Sequence, residues 1–218
     1  AGMGLRLHLA DAPIESVLVD GEPHHAFSDD SVLLPAPSSA QQVLTVVLGV
    51  EVPGTPRLLF SSKAVQGTQL DDRTLTAPLV EPGRAARFCF ATPAQVLVLD
   101  ADETDNDGQG ELCGRLRDGN PSTALTLTAL PLAPADLHLR HASVPIAAVY
   151  GDDHRIVLDL SPAGDGELRW ASDDSPALAA LDDVSLPITH TADGFTLFVP
   201  ASTSHRTLEI HFDHCLLP

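Results

Sequence analysis

The sequence predicts an all-β protein built as two β-sandwiches in tandem. Three observations lead there. Apolar and polar residues alternate with period two over short runs along the whole chain, the signature of half-buried strands. Eighteen prolines and fifteen glycines punctuate those runs where turns are needed. Of the 30 acidic residues, 22 are Asp, which hydrogen-bonds to nearby backbone and prefers turns over helices.

The strands follow in chain order. Leu5–Leu9 alternates strictly, and Ser16–Val19 precedes Asp20-Gly21, a hairpin signal because Gly takes the positive φ of the turn. Val43–Val50 lies in the longest apolar run, broken by Thr45, Gly49 and Glu51, and reads as a buried strand. Arg57–Phe60, Arg73–Leu79, Ala86–Phe90, Gln95–Leu99, Leu112–Arg117 and Ala124–Leu132 continue the pattern. Leu130-Pro-Leu-Ala-Pro134 then reads as a stiff connector. Beyond it come Asp136–His141, Ile146–Tyr150, Arg155–Leu160, Glu167–Trp170, Phe195–Val199 and Thr207–His214. Only Ser175–Asp183, with its Ala-Leu-Ala-Ala-Leu core, has helical character. The expected modules are therefore a sandwich over residues 1–130 and a second over 135–218, the latter of immunoglobulin-like size.

Turn signals recur at Asp107-Gly108, Asp118-Gly119, Asp165-Gly166 and Asp193-Gly194, and Asp-Asp pairs at 29–30, 71–72, 152–153, 173–174 and 182–183. The acid thus belongs to strand ends. Twelve Lys/Arg against 30 Asp/Glu give a net charge of −18, which argues against nucleic acid and anionic membrane surfaces as partners. No stretch approaches the ~20 apolar residues of a membrane-spanning helix. Aromatics are 4% of the chain, so the core must be aliphatic; Trp170 and Tyr150 read as packing residues, not a sugar-stacking shelf. The start shows no hydrophobic signal segment: either one has been removed, or the chain begins at Met3 behind two added residues.

The segment Asp100–Cys113 carries the one spacing with chemistry in it. Calcium takes six to eight oxygen ligands, and alternating carboxylates on a loop bent at Gly supply them. With Glu103 at loop position one, Asp105 and Asp107 fall at three and five, Gly108 at six, Gln109 at seven and Glu111 at nine. Thr104-Asp105-Asn106-Asp107-Gly108-Gln109-Gly110-Glu111-Leu112-Cys113 resembles the calcium loop of thrombospondin type 3 repeats, within the wider DxDxDG class. The resemblance spans residues 103–114. It implies that Asp105 and Asp107 bind calcium by side chain, Gln109 by its carbonyl and Glu111 directly or through water, and that Cys113 enters a disulfide. Position one is Glu103 in place of the usual Asp, and position twelve is Gly114 in place of a carboxylate, so a further ligand is expected from Asp100, Asp102 or Asp118. Such an ion would be structural.

Cys89 and Cys113 lie on predicted strands flanking this segment and can pair, leaving Cys215 as a buried thiol; pairing of Cys215 with either of them, or three free buried thiols in a cytoplasmic protein, are the alternatives. The histidine clusters His24-His25, His138/His141 and His211/His214 lie on strands, where residues three apart point to opposite faces; His211 and Asp213 share one, which leaves zinc or copper open there. No nucleophile elbow, His-Glu-x-x-His pair or phosphate-cradling glycine loop is present. The expected function is non-enzymatic: an extracytoplasmic (secreted, periplasmic or cell-surface), calcium-stabilised sandwich protein engaged in adhesion, surface assembly or protein binding. Two alternatives stand beside it, a hydrolase or accessory module with a discontinuous site, and a cytoplasmic or phage-type structural protein beginning at Met3.

Overall fold

The computed structural model describes residues 3–6, 14–24, 27, 31–34, 41–49, 56–63, 65–71, 74–91, 96–106, 111–130 and 137–216. They form strands and turns, with no helix among the described residues. The first group of strands is β1 (Met3–Arg6), β2 (Ile14–Val19), β3 (Glu22–His24), β4 (Ser31–Leu34) and β5 (Leu44–Leu48). The middle group is β6 (Arg57–Ser61), β7 (Gln69–Asp71), β8 (Thr74–Pro78), β9 (Ala86–Ala91), β10 (Val96–Leu99), β11 (Glu103–Asn106), β12 (Glu111–Leu116) and β13 (Ala124–Leu130). The last group is β14 (His138–Ala142), β15 (Ile146–Asp152), β16 (Arg155–Leu160), β17 (Gly166–Ala171), β18 (Leu178–Leu181), β19 (Val184–Ser185), β20 (Ile188–Thr191), β21 (Gly194–Val199) and β22 (Arg206–His211).

Alternation decides which face each strand buries. In β9 the side chains of Ala86, Phe88 and Phe90 are buried while Arg87 and Cys89 face outward; in β16 Ile156, Leu158 and Leu160 are buried. Each such Ile, Leu or Phe side chain contributes roughly 1.5–3 kcal/mol on burial. Three clusters result. Leu58, Leu75, Phe88, Phe90, Leu112 and Leu125 belong to one, under the middle strands. Leu139, Ile156, Leu168, Phe195, Leu208 and Ile210 belong to a second, under β14–β22. Ile14, Val17, Val32 and Leu34 make a small third among the first strands.

All pairings are antiparallel. One eight-stranded sheet runs β20-β21-β17-β14-β11-β12-β9-β6, taking four strands from the last group and four from the middle group. A four-stranded sheet, β10-β13-β8-β7, belongs to the middle group, and a five-stranded sheet, β15-β16-β22-β18-β19, to the last. The first group makes β3-β2-β5 and the pair β1-β4. The junction in the large sheet is the β11–β14 pairing, Thr104 opposite Ala142 and Asp105 opposite His141. A second tie lies behind it. Leu130, at the end of β13, is buried in the β14–β22 core, against Gly151 of β15. A Cβ at Gly151 would come within 2.8 Å of Leu130 Cδ2. The connector at 131–136 lies outside the described residues.

Four local expectations change. Ser175–Asp183 contains strand β18 and not a helix: Ala179 and Leu181 are buried and pair with β22, and this tertiary pairing overrides the Ala/Leu helix propensity. Asp182-Asp183 at its end takes φ of +49° and +65° in the turn to β19. Within the stretch expected as a buried strand, β5 is an edge strand, with Val43, Val47 and Leu48 exposed. Trp170 is buried, stacked on Phe195 at 6.0 Å between centroids, but Tyr150 stands exposed on β15. His138 and His141 come to the same face, because a register shift between Leu139 and His141 inserts Arg140 as an extra residue.

The Asp-Gly signals divide into two uses. Asp20-Gly21 (φ +53° and +87°) turns β2 into β3, and Asp193-Gly194 turns β20 into β21. Asp118 and Asp165 act instead as caps, accepting from the backbone N–H of Ala85 at 2.9 Å and of Ala201 at 2.7 Å. Asp107-Gly108 lies outside the described residues.

Candidate functional site

The register carries one row of outward-facing residues across the large sheet: Phe60, Cys89, Cys113, Asp105, His141 and Arg169. Cys89 and Cys113 are directly opposite on β9 and β12 and are joined as a disulfide, with Cα atoms 4.0 Å apart. That is the narrow kind of antiparallel pair, in which side chains stand closest. The pairing expected from the flanking strands is thus the one present, and Cys215, expected as a buried thiol, is exposed and takes no part in it. Disulfides form and persist in oxidising compartments.

Asp105 is next in the row. Its Oδ1 lies 2.7 Å from His141 Nδ1, a contact that spans the seam between the two halves of the sheet. Glu103, two residues earlier on the same face, is 3.9 Å from Arg115 Nη1. Arg115 in turn stands directly opposite Arg87. Beyond the seam Arg169 pairs with Glu167, and Arg140 Nη1 with Asp193 Oδ2 at 3.2 Å. A groove of about 640 Å³ runs over the β6–β9–β12–β11 part of this face, floored by the disulfide and edged by Phe60, Ser62, Arg87, Arg115 and Glu103.

The acidic segment is divided by the fold. Glu103 and Asp105 sit on strand β11, and Glu111 begins β12, its Oε1 3.3 Å from Cys113 Sγ. These three carboxylates share the outward face of the hairpin, since 103, 105, 111 and 113 have the same parity in the register. Two of them already face cationic or imidazole partners, Arg115 and His141. Asp107 and Gln109, the other two expected ligands, lie outside the described residues. Cys89, Glu111 and Cys113 place a ligand atom each within 4.8 Å of one another, but both sulfurs are spent in the disulfide and neither offers a thiolate to a metal.

Asp100, Asp102 and Asp118 line a different place, a cleft of about 890 Å³ that also includes Asn120, Ser122 and His205. Asp102 Oδ2 accepts from the backbone N–H of Arg117 at 2.7 Å and from Asn120 Nδ2 at 2.9 Å. Asp100 is half-buried, and that burial pushes its carboxyl above the ordinary carboxylate range; a hydrogen bond from Ser122 pulls it back and the charge of Asp102 pushes it further up. The ligand expected from this group for the hairpin therefore faces the cleft.

Among the histidines, His211 Nε2 contacts Glu209 Oε2 at 3.1 Å, and no three-ligand metal group other than the cysteine one forms among the described residues. Ser175 Oγ and His190 Nδ1 are 3.2 Å apart, both exposed, and no carboxylate among the described residues bonds that histidine to complete a triad. No described helix is long and apolar enough to cross a membrane. No protein-family model, curated protein or solved structure matches this chain.

The candidate site is therefore a charged face of the large sheet. Its floor is covalently cross-linked and its two halves are tied at Asp105 and His141.

Proposed function

We propose that this chain is an extracytoplasmic, non-enzymatic β-sandwich protein that works by contact, in adhesion, surface assembly or protein binding. The Cys89–Cys113 disulfide carries this reading, because a cross-link on a sheet face is expected where thiols are kept oxidised. The large sheet spanning two packed cores supports it as well, since a broad stiff face suits recognition. The same proposal includes two tandem immunoglobulin-like sandwiches, 1–130 and 135–218, for which the separate cores under the middle and last strand groups speak. It also includes calcium at the β11–β12 hairpin, held by Glu103, Asp105, Asp107, Gln109 and Glu111. The carboxylates of Glu103, Asp105 and Glu111 on one face of that hairpin support the ion, whose role would be to neutralise crowded charge.

Fractionation of the producing cells tests the location. The protein is expected in the medium, at the surface or in the envelope space. Co-fractionation with a cytoplasmic marker would overturn the reading.

A further inference from the structure

Arg87 and Arg115 form an arrangement that the fold does not need. They stand directly opposite each other on β9 and β12, two residues along from the disulfide and on the same outward face. Like charges in that position are unfavourable, and the chain has only twelve Lys/Arg to place against 30 acids. Their neighbours do little to relieve the repulsion. Arg115, with its side chain 61% exposed, reaches Glu103 only at 3.9 Å, and the Arg87 guanidinium meets no carboxylate among the described residues. Both open into the groove of about 640 Å³. Ser62 sits beside them, its hydroxyl accepting from the Arg87 backbone N–H at 2.9 Å and so keeping a proton to donate. Phe60 adds an apolar rim, 42% exposed.

We infer that this groove binds an acidic segment of a partner polypeptide, with a carboxylate held between the guanidinium groups of Arg87 and Arg115 and an adjoining apolar side chain on Phe60. The inference rests on the protein-binding reading above and names the chemistry of its partner. Glu103 and Asp105 also line the groove, but Asp105 is engaged by His141, so the end formed by Arg87 and Arg115 is the one that suits a carboxylate. Residues 57–117 hold seven of the twelve Lys/Arg against nine Asp/Glu, while residues 118–218 hold four against fourteen, so this is the least acidic part of the chain. Guanidinium groups present planar forks that match carboxylates. The disulfide holds β9 and β12 together, so the two arginines are presented with little freedom to lose on binding. A single rim aromatic favours polypeptide over sugar, which stacks on broader aromatic platforms.

Fluorescence anisotropy on the intact, disulfide-bonded chain tests this with a labelled Asp-Leu repeat peptide and its Asn-Leu counterpart. The Asp peptide is expected to bind about tenfold or more tightly than the Asn peptide. Arg87→Ala and Arg115→Ala should each weaken it by about tenfold, and Arg87→Lys should recover only part, since a point charge replaces a fork. Arg155→Ala removes the same charge from the five-stranded sheet, away from this face, and should change nothing. Thermal melts verify that the variants fold, as expected for exposed side chains. Equal affinity for both peptides, or equal weakening by Arg155→Ala, overturns the inference. So does arginine-dependent capture of a uronate polymer in place of the peptide. Capture of the Asn peptide alone would sink the carboxylate and leave protein binding standing, and location is decided separately by fractionation.

Discussion

Asp105 and His141 meet at 2.7 Å although 36 residues separate them, and they do so on the strand pair that makes one sheet out of two halves. His141 is largely covered, with 19% of its side chain exposed, while Asp105 is 70% exposed, so water weakens the contact without removing it. His141→Ala should lower stability by about 0.5–1 kcal/mol in urea unfolding. A double-mutant cycle with Asp105→Asn should return a favourable coupling. A coupling of zero would mean that the seam rests on backbone pairing and on Leu130 alone.

Gly194 is the turn residue between β20 and β21 where substitution should cost most. Its φ is +152°, and an added Cβ would lie 1.9 Å from the Trp170 carbonyl oxygen. Gly194→Ala must therefore displace backbone beside the buried Trp170–Phe195 stack. The expected loss is about 2–4 kcal/mol by chemical denaturation. A loss below about 1 kcal/mol would show that the turn rearranges freely.

Asp100 gives a pH dependence whose sign can be stated. Burial raises its pKa in the folded chain above the unfolded value, so folding favours the protonated form. Its contribution to stability is present below the ordinary Asp range, near about 4, and is lost as pH rises through the raised value. Asp100→Asn should melt above the parent at neutral pH, because Ser122 can still donate to the amide oxygen. The difference should vanish in acid. A variant that melts lower at neutral pH would contradict the account.

Calcium added to metal-free protein should raise Tm. At a hundredfold excess over Kd the stabilisation is about 2.7 kcal/mol, roughly 5–10 °C for a chain of this size. Asp105→Asn should remove most of the shift. An unchanged melt with calcium or EDTA would remove calcium from the proposal.

Most strands of four or more residues were legible because their alternation is local: Ala86–Phe90 and Arg155–Leu160 declare their buried faces in sequence. Strand β11 was not legible. Glu103-Thr-Asp-Asn reads as turn chemistry, and it is a strand only because β12 and β14 pair with it from both sides. The Ala/Leu run at β18 misled for the same reason, its pairing with β22 being supplied from a distance. At the candidate site the disulfide could be anticipated from two strands flanking one loop. The partners of Asp105 and Glu103 could not, and neither could the division of Asp100 from Asp105 between a cleft and a sheet face, because alternation says which residues point together and not what lies opposite.

The cross-link is the point on which the exported reading stands. Closing 24 residues, it should add about 3 kcal/mol to stability. The most direct measurement is peptide mapping of protein from its producing cells, alkylated before any reduction. A disulfide-linked Cys89–Cys113 peptide, with alkylation confined to Cys215, is the predicted result. Alkylation of all three cysteines without reductant would contradict it.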